Sequence, residues 1–219
     1  MGGGRVASPA RPHPARPHPA TSGSSRSSLP GESGILDAAI AVMAEHGYHG
    51  TSVRDIAVRA GVSPAALYHH FTSKQQVLAT IMERGIEALL HRTSTALDAA
   101  GEHPADRLRA LVEVQVLFHL EDQRGTLLGT SELRALEEPV RSAHRAKRLQ
   151  QQRYFDATVA DGVAREVFTT SLPDEAARAI VVMCTGVAGW FSAGGRLSRA
   201  QVVRRYQRLA LDMVGSRTG

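Results

Sequence analysis

The chain has 219 residues, a formal net charge of +5, 42% hydrophobic residues and only 5% aromatics. That length allows one or two domains with a real apolar core, and an apolar set rich in Ala, Leu and Val suits helices better than sheets. A single cysteine, Cys184, excludes an intramolecular disulfide framework and a cysteine-rich zinc site, and a reducing, cytoplasmic setting is expected.

The most apolar run, Ala179 to Phe191, is interrupted by Thr185, Gly186 and Gly189. It is shorter than the ~20 residues of a membrane span, and the N-terminal stretch lacks the apolar centre of a secretory signal. No membrane partner and no export are therefore expected. The basic balance suits nucleic acid without demanding it. Arg5, Arg11, Arg16 and Arg26 face the lone acid Glu32 before Ser33, so most of the excess charge lies ahead of the first periodic segment.

Residues 1–32 are read as a disordered Pro/Arg/Ser-rich tail. Ala10-Arg11-Pro12-His13-Pro14 repeats as Ala15-Arg16-Pro17-His18-Pro19, and a Ser-rich stretch follows. Closely spaced prolines block helix and sheet and favour extended chain. Two readings stay open here: a solvated extension, or an arginine arm that adds salt-dependent contacts to DNA phosphates.

From Ser33 the chain reads as helices separated by short Gly, Pro and Ser breaks. Ile35, Ala38, Ala39 and Val42 recur at helical spacing until Gly47. A short helix is predicted over Val53 to Ala60, with Ser52 as cap and Asp55 as its capping-box partner, stopped by Gly61. Ser63-Pro64 opens a third, ending near Phe71, because serine caps well and proline at the first helical position gives up no needed N–H. Ser73 caps a long fourth helix, about Lys74 to Ala99. Further helices are predicted over Pro104 to His119, Gly125 to Ala135, Pro139 to Gly162, Asp174 to Ala193 and Ser198 to Val214. No stretch alternates with period two, so the expected fold class is all-α.

The segment Thr51 to Phe71 encodes a short helix, a turn pinned by Gly61 and a second short helix. Ile56, Ala57 and Leu67 face inward and Val62 plugs the corner. This is a helix-turn-helix, whose second helix fits the major groove of double-stranded DNA. Ser63, Pro64, Ala65, Ala66, Tyr68 and His69 point outward. These are small or polar; the small side chains allow close approach to the groove, and Ala methyls match thymine methyls. Ser52, Arg54 and Lys74 lie near helix starts, where phosphates are gripped. His70 is open between packing and DNA contact. Arg54, Arg59 and Lys74 are balanced by Asp37, Glu45 and Asp55, so the motif's own field is weak.

Thr51-Ser52, Ile56-Ala57, Ala60-Gly61-Val62-Ser63, Leu67-Tyr68-His69-His70-Phe71 and Ser73-Lys74, with Gly47-Tyr48 upstream, resemble the N-terminal domain of the tetracycline-repressor (TetR) family almost throughout. Ala65-Ala66 departs from it where a glycine is frequent, which bears on sequence preference. The resemblance implies a three-helix DNA-binding domain, 33–78, joined through the fourth helix to a ligand-binding and dimerising domain, 79–219. It also implies that Thr51 belongs to the DNA-binding set and that the Tyr68 hydroxyl meets a phosphate.

The last two helices carry apolar stripes: Ile180, Met183, Val187 and Trp190, then Val202, Tyr206, Leu209 and Met213. Read by themselves these suit an intramolecular core equally well. The resemblance implies that Met183, Val187, Val202, Tyr206, Leu209 and Met213 pair with a second copy, so that a homodimer reads a palindromic operator. Gly189 to Ser198 and the Tyr206 helix further resemble TetR-type regulators of fatty-acid and steroid catabolism, which implies a small-molecule effector such as an acyl-coenzyme A or another lipophile.

Leu117, Phe118, Leu128, Tyr154, Phe155 and Trp190 are the expected cavity wall. Arg141, Arg145 and Arg148 share a helical face that suits either phosphates or water. The fourth helix separates that cavity from the DNA and is expected to act as a lever. Enzymatic readings fare poorly: His46 and His49 flank a helix end, no phosphate loop follows a strand, and Cys184 sits in an apolar helix. No cofactor and no metal is expected. A regulator without a ligand, controlled by a protein partner, remains the alternative.

Overall fold

The computed structural model describes residues 1–4 and 31–216; the Pro/Arg repeat and nearly all of the stretch read as a tail lie outside the described residues, as do residues 217–219. The described residues form α-helices with no strand. In chain order these are α1 (Glu32–His46), α2 (Val53–Ala60), α3 (Pro64–His70), α4 (Lys74–Ala99), α5 (Pro104–Glu121), α6 (Gln123–Ser131), α7 (Val140–Ala164), α8 (Pro173–Thr185) and α9 (Arg199–Met213).

Local chemistry sets the first boundaries. Ser52 and Asp55 close a reciprocal capping box at the start of α2. The Ser63 hydroxyl accepts the Ala66 N–H at 3.1 Å, with Pro64 beside it in the first turn of α3. Ser73 accepts the Gln76 N–H at the start of α4. Between α2 and α3, Gly61 turns the chain through the left-handed region at φ 69°, which a Cβ atom disfavours.

Two apolar clusters hold these helices. The first joins Ile35, Leu36, Ala39 and Met43 of α1 to Ile56 and Ala57 of α2, Leu67 of α3, and Val77, Leu78, Ile81 and Met82 of α4. Leu128 of α6 and Leu136 just beyond it complete this cluster. Residues 33–78 therefore do not close their own core; the later chain supplies part of it. The second cluster is centred on α5, which packs against α4, α7, α8 and α9. Phe155, Ile180, Cys184, Val187 and Val202 are all fully buried in it. Each such side chain contributes on the order of 1.5–3 kcal/mol before entropy is charged. Gly162 lets the Phe168 ring lie against the α7 backbone, where any side chain would collide with it.

Two later helices end sooner than their apolar spacing predicts. α8 stops at Thr185 and the chain tightens into a 3₁₀ turn over Gly186–Gly189, not a continuous helix to Ala193. Glycine costs about 1 kcal/mol relative to alanine inside a helix, and two of them so close give the tighter turn its chance. Likewise α6 passes into a 3₁₀ turn over Glu132–Ala135.

Candidate nucleic-acid interface and effector cavity

The outer face of α3 is built as its capping residues dictate. Ser63, Pro64, Ala65, His69 and His70 are exposed, Ala66 is half-buried, and Tyr68 has 53% of its surface free while Leu67 beside it is fully buried. A short helix anchored by one buried leucine and presenting small residues can lie close to a groove floor. His70 faces solvent with His69, their rings meeting edge to face at 5.6 Å.

Three residues expected on the DNA are already committed within the protein. Thr51 is buried at 3% exposure, and its hydroxyl donates to the Gly47 carbonyl at 2.8 Å, so its side chain holds the α1–α2 connection together. The Lys74 ammonium donates to the carbonyls of Tyr48 at 2.7 Å and Thr51 at 2.6 Å, and lies 4.2 Å from the Tyr48 ring centre. The Ser52 hydroxyl donates to Asp55 Oδ2 at 2.6 Å. Nearby, Arg59 pairs with Glu45. Among the described residues Arg54 is exposed and has no ion pair, which makes it the available cation of this face.

A cavity of about 460 Å³ opens where the two clusters meet. Its walls come from Leu36 and Ile40 of α1, Ile81, Met82, Ile86, Leu89 and Arg92 of α4, Gln115, Phe118 and His119 of α5, and Gly125, Thr126 and Gly129 of α6. His144, Arg148 and Gln151 of α7 and Val181 and Thr185 of α8 close it. Of the six wall residues expected from the sequence, only Phe118 lies here. Leu128 fills the N-terminal core, Phe155 the C-terminal one, and Leu117 packs against the latter. Tyr154 borders a separate hollow with Leu97 and Arg107. Trp190 is on the surface, half exposed and stacked on Tyr206. Aromatic placement on helices misled because the bulkiest apolar side chains fill cores, leaving mid-sized and polar ones to line a space.

The residues missed are polar. Gln115 and His119 on α5, and His144 and Gln151 on α7, are all buried. Their spacing, four and seven residues, puts each pair on one helical face, and that was the available signal. Burial holds the His119 imidazole well below its usual range, to about 4, with the Arg148 charge adding to this. The same two causes, in the same order, lower His144. Both rings are therefore neutral near pH 7. Around the mouth, Arg84 pairs with Glu32 and Arg92 with Glu121, whereas Arg148 has no ion pair among the described residues. Of the basic stripe on α7, Arg141 is held by Glu138 at 2.9 Å.

The expected pairing stripe also divides. Val187 and Val202 are fully buried within the chain and Met183 packs partly on the same core, so the first two have no surface to offer a second copy. The large apolar side chains that α8, α9 and the turn between them expose are Val182 at 67%, Trp190 at 50%, Leu209 at 49%, and Met213. Cys184 is buried, and burial pushes its thiol up to about 12, which makes it inert. Among the described residues no helix is long and apolar enough to cross a membrane, and no His, Cys, Asp and Glu cluster could hold a metal.

Comparison with known proteins agrees with this geometry. Residues 35–81 match the family described as bacterial regulatory proteins, tetR family, and residues 101–214 match the family described as tetracyclin repressor-like, C-terminal domain. The HTH-type transcriptional repressor KstR2 of Mycobacterium tuberculosis is 28% identical over 181 residues, covering 81% of this chain and 89% of that protein. A tetR-family regulatory protein from Rhodococcus RHA1 superposes with a TM-score of 0.78 at 29% identity, over 84% of this chain and 96% of that one. The fold is shared as well by AibR, solved with isovaleryl coenzyme A and operator DNA, at a TM-score of 0.73 and 22% identity over 83% and 97% of the two chains.

Proposed function

The chain belongs to the TetR family of bacterial regulatory proteins, and from that premise we propose that it is a dimeric repressor released from a palindromic operator by a lipophilic or acyl-thioester effector. The family makes it a ligand-responsive DNA-binding regulator and not an enzyme. The finer reading is carried by the cavity: a largely apolar space of about 460 Å³ with Arg148, which has no ion pair among the described residues, at its edge. An apolar body with an anionic end is the complement of such a site. The name of KstR2 supports repression, and the isovaleryl coenzyme A held by AibR supports a thioester.

On this reading residues 33–78 present Ser63 to His70, with Arg54, to the groove, and Val182, Trp190, Leu209 and Met213 form the face that meets a second copy. Leu36 and Ile40 of α1 are cavity wall as well as parts of the DNA-binding unit, so the effector acts on that unit directly, in addition to any lever motion of α4. A ligand that displaces α1 shifts the two α3 helices from grooves one helical turn apart. Linkage then requires tighter binding to free dimer than to operator-bound dimer, by the factor with which it weakens operator binding.

The test has two steps. Selection from random DNA is expected to enrich a two-fold symmetric site. Calorimetry of acyl-coenzyme A thioesters and free acids against free and operator-bound protein is expected to find compounds favouring the free form. Selection without a symmetric site, or equal affinities throughout, overturns the reading.

A further inference from the structure

The cavity's polar end is a chain of hydrogen bonds whose direction can be derived. The Thr185 hydroxyl donates to the Val181 carbonyl at 2.9 Å, so toward Gln115 its oxygen accepts. That fixes the Gln115 amide nitrogen toward Thr185 at 3.2 Å, and the same nitrogen reaches His119 Nε2 at 3.1 Å. Nε2 therefore accepts, and the His119 proton sits on Nδ1, facing the Thr126 hydroxyl at 2.9 Å. The Gln115 oxygen is left for Gln151, whose amide nitrogen donates to it at 3.0 Å and to Thr93 Oγ1 at 3.0 Å. The Thr93 hydroxyl is spent on the Leu89 carbonyl at 2.8 Å, so it too accepts.

Both protons of the Gln151 amide are thus used, and neither amide can flip without setting oxygen against oxygen. Its oxygen, Oε1, is buried with no partner among the described residues. Gln151 is only 3% exposed and lies on the cavity wall. A buried acceptor without a donor is costly, and natural interiors rarely leave one.

We propose that the cavity selects an effector bearing a hydrogen-bond donor, a hydroxyl or an N–H on an otherwise apolar body, which donates to Gln151 Oε1. This rests on the reading that the cavity takes a small molecule, and it adds to the expected lipophile a polar point that a plain saturated chain lacks. Phe118 and Ile86 supply apolar wall, while Gln151 supplies the specificity, since a site built to receive a donor penalises an analogue that lacks one.

Three probes of nearly one shape separate the possibilities: 1-naphthol, which donates, 1-methoxynaphthalene, which only accepts, and 1-methylnaphthalene, which does neither. Calorimetry on the full chain is expected to rank naphthol roughly tenfold tighter than the other two, which bind alike. In Gln151→Met that preference is expected to vanish, whereas Phe118→Ala weakens all three together. Equal binding of the three to the unaltered chain overturns the donor requirement and leaves the lipophile reading standing. Methoxynaphthalene binding as tightly as naphthol overturns it too. A naphthol preference that survives in folded Gln151→Met overturns the assignment to Gln151. Failure of all three to bind removes the small-molecule reading itself and the proposal with it. The comparison on the unaltered chain decides the donor requirement even where the variant does not fold.

Discussion

Around the turn between α2 and α3, polar groups are closed locally: Ser52, Ser63 and Ser73 each accept the N–H three residues ahead. Around the cavity, Thr93, Gln115, His119, Gln151 and Thr185 close one another across four helices, and the chain of bonds stops one donor short among the described residues. The first region sets its helix boundaries from neighbours in sequence, although its core takes Leu128 and Leu136 from the later chain. The second can settle its shape only after α4, α5, α7 and α8 have packed, and it stays incomplete within the chain. A unit that must present one fixed surface is served by the first arrangement, and a unit that must respond to something absent is served by the second.

The sharpest way to break this comparison is to remove one core at a time. Phe155→Ala is expected to cost about 3–5 kcal/mol and Leu67→Ala about 2–5 kcal/mol, measured by urea denaturation. If the regions are as distinct as their cores suggest, Leu67→Ala abolishes operator binding yet keeps probe affinity in the cavity near normal. Loss of both functions together would show that the seam supplied by Leu128 and Leu136 binds them into one cooperative unit.

The response to acid is next in size. His119 titrates near 4 when folded, against about 6.5 when unfolded, so between those values the unfolded chain holds more protons. The stability this contributes is complete above 6.5 and is lost as pH falls toward 4. At pH 5 the loss is about 2 kcal/mol, from the shift and linkage alone. Thermal melts at pH 7 and pH 5 are expected to show it, and to show less of it in His119→Gln. His144 is displaced in the same direction, so some slope persists in that variant.

The smallest effect tests the local end. Ser63→Ala is expected to cost about 1 kcal/mol of stability and to weaken operator binding without altering sequence preference. Binding of the variant to a panel of single-base operator changes checks this. A changed preference would mean that the Ser63 hydroxyl reads a base and does not serve only as a cap.

That contrast also explains what was legible in the sequence. Ser52 with Asp55, Gly61, and Ser63 with Pro64 are signals between near neighbours, so all nine helices of the described residues and the turn were readable. Within the motif, exposure of Tyr68 and burial of Leu67 follow from helical period. The uses of Thr51 and Lys74 do not, because Lys74 reaches carbonyls more than twenty residues away. The cavity was hardest. Phe155, Tyr154 and Trp190 look like wall material but are drawn to the core, a side hollow and the surface. Gln115 and Gln151 look like solvated residues until the six helices around the cavity enclose them. Val187 and Val202 showed a related error: an apolar stripe tells that a face is covered, not whether the cover is the same chain or another.

The way Lys74 and Arg59 are spent has a further consequence, one of traffic and not of structure. Random DNA holds a protein mainly through cations that displace condensed counterions from phosphates, and each such cation steepens the dependence on salt. With the Lys74 ammonium on two carbonyls and Arg59 on Glu45, the folded reading unit brings little beyond Arg54 to that exchange. Its hold on arbitrary sequence is expected to be slight. Unless the arginine-rich stretch ahead of Ser33 adds such contacts, the chromosome is then expected to act as a poor sink, with few copies stranded on irrelevant sites. In that case fewer molecules per cell are expected to suffice to fill a given site.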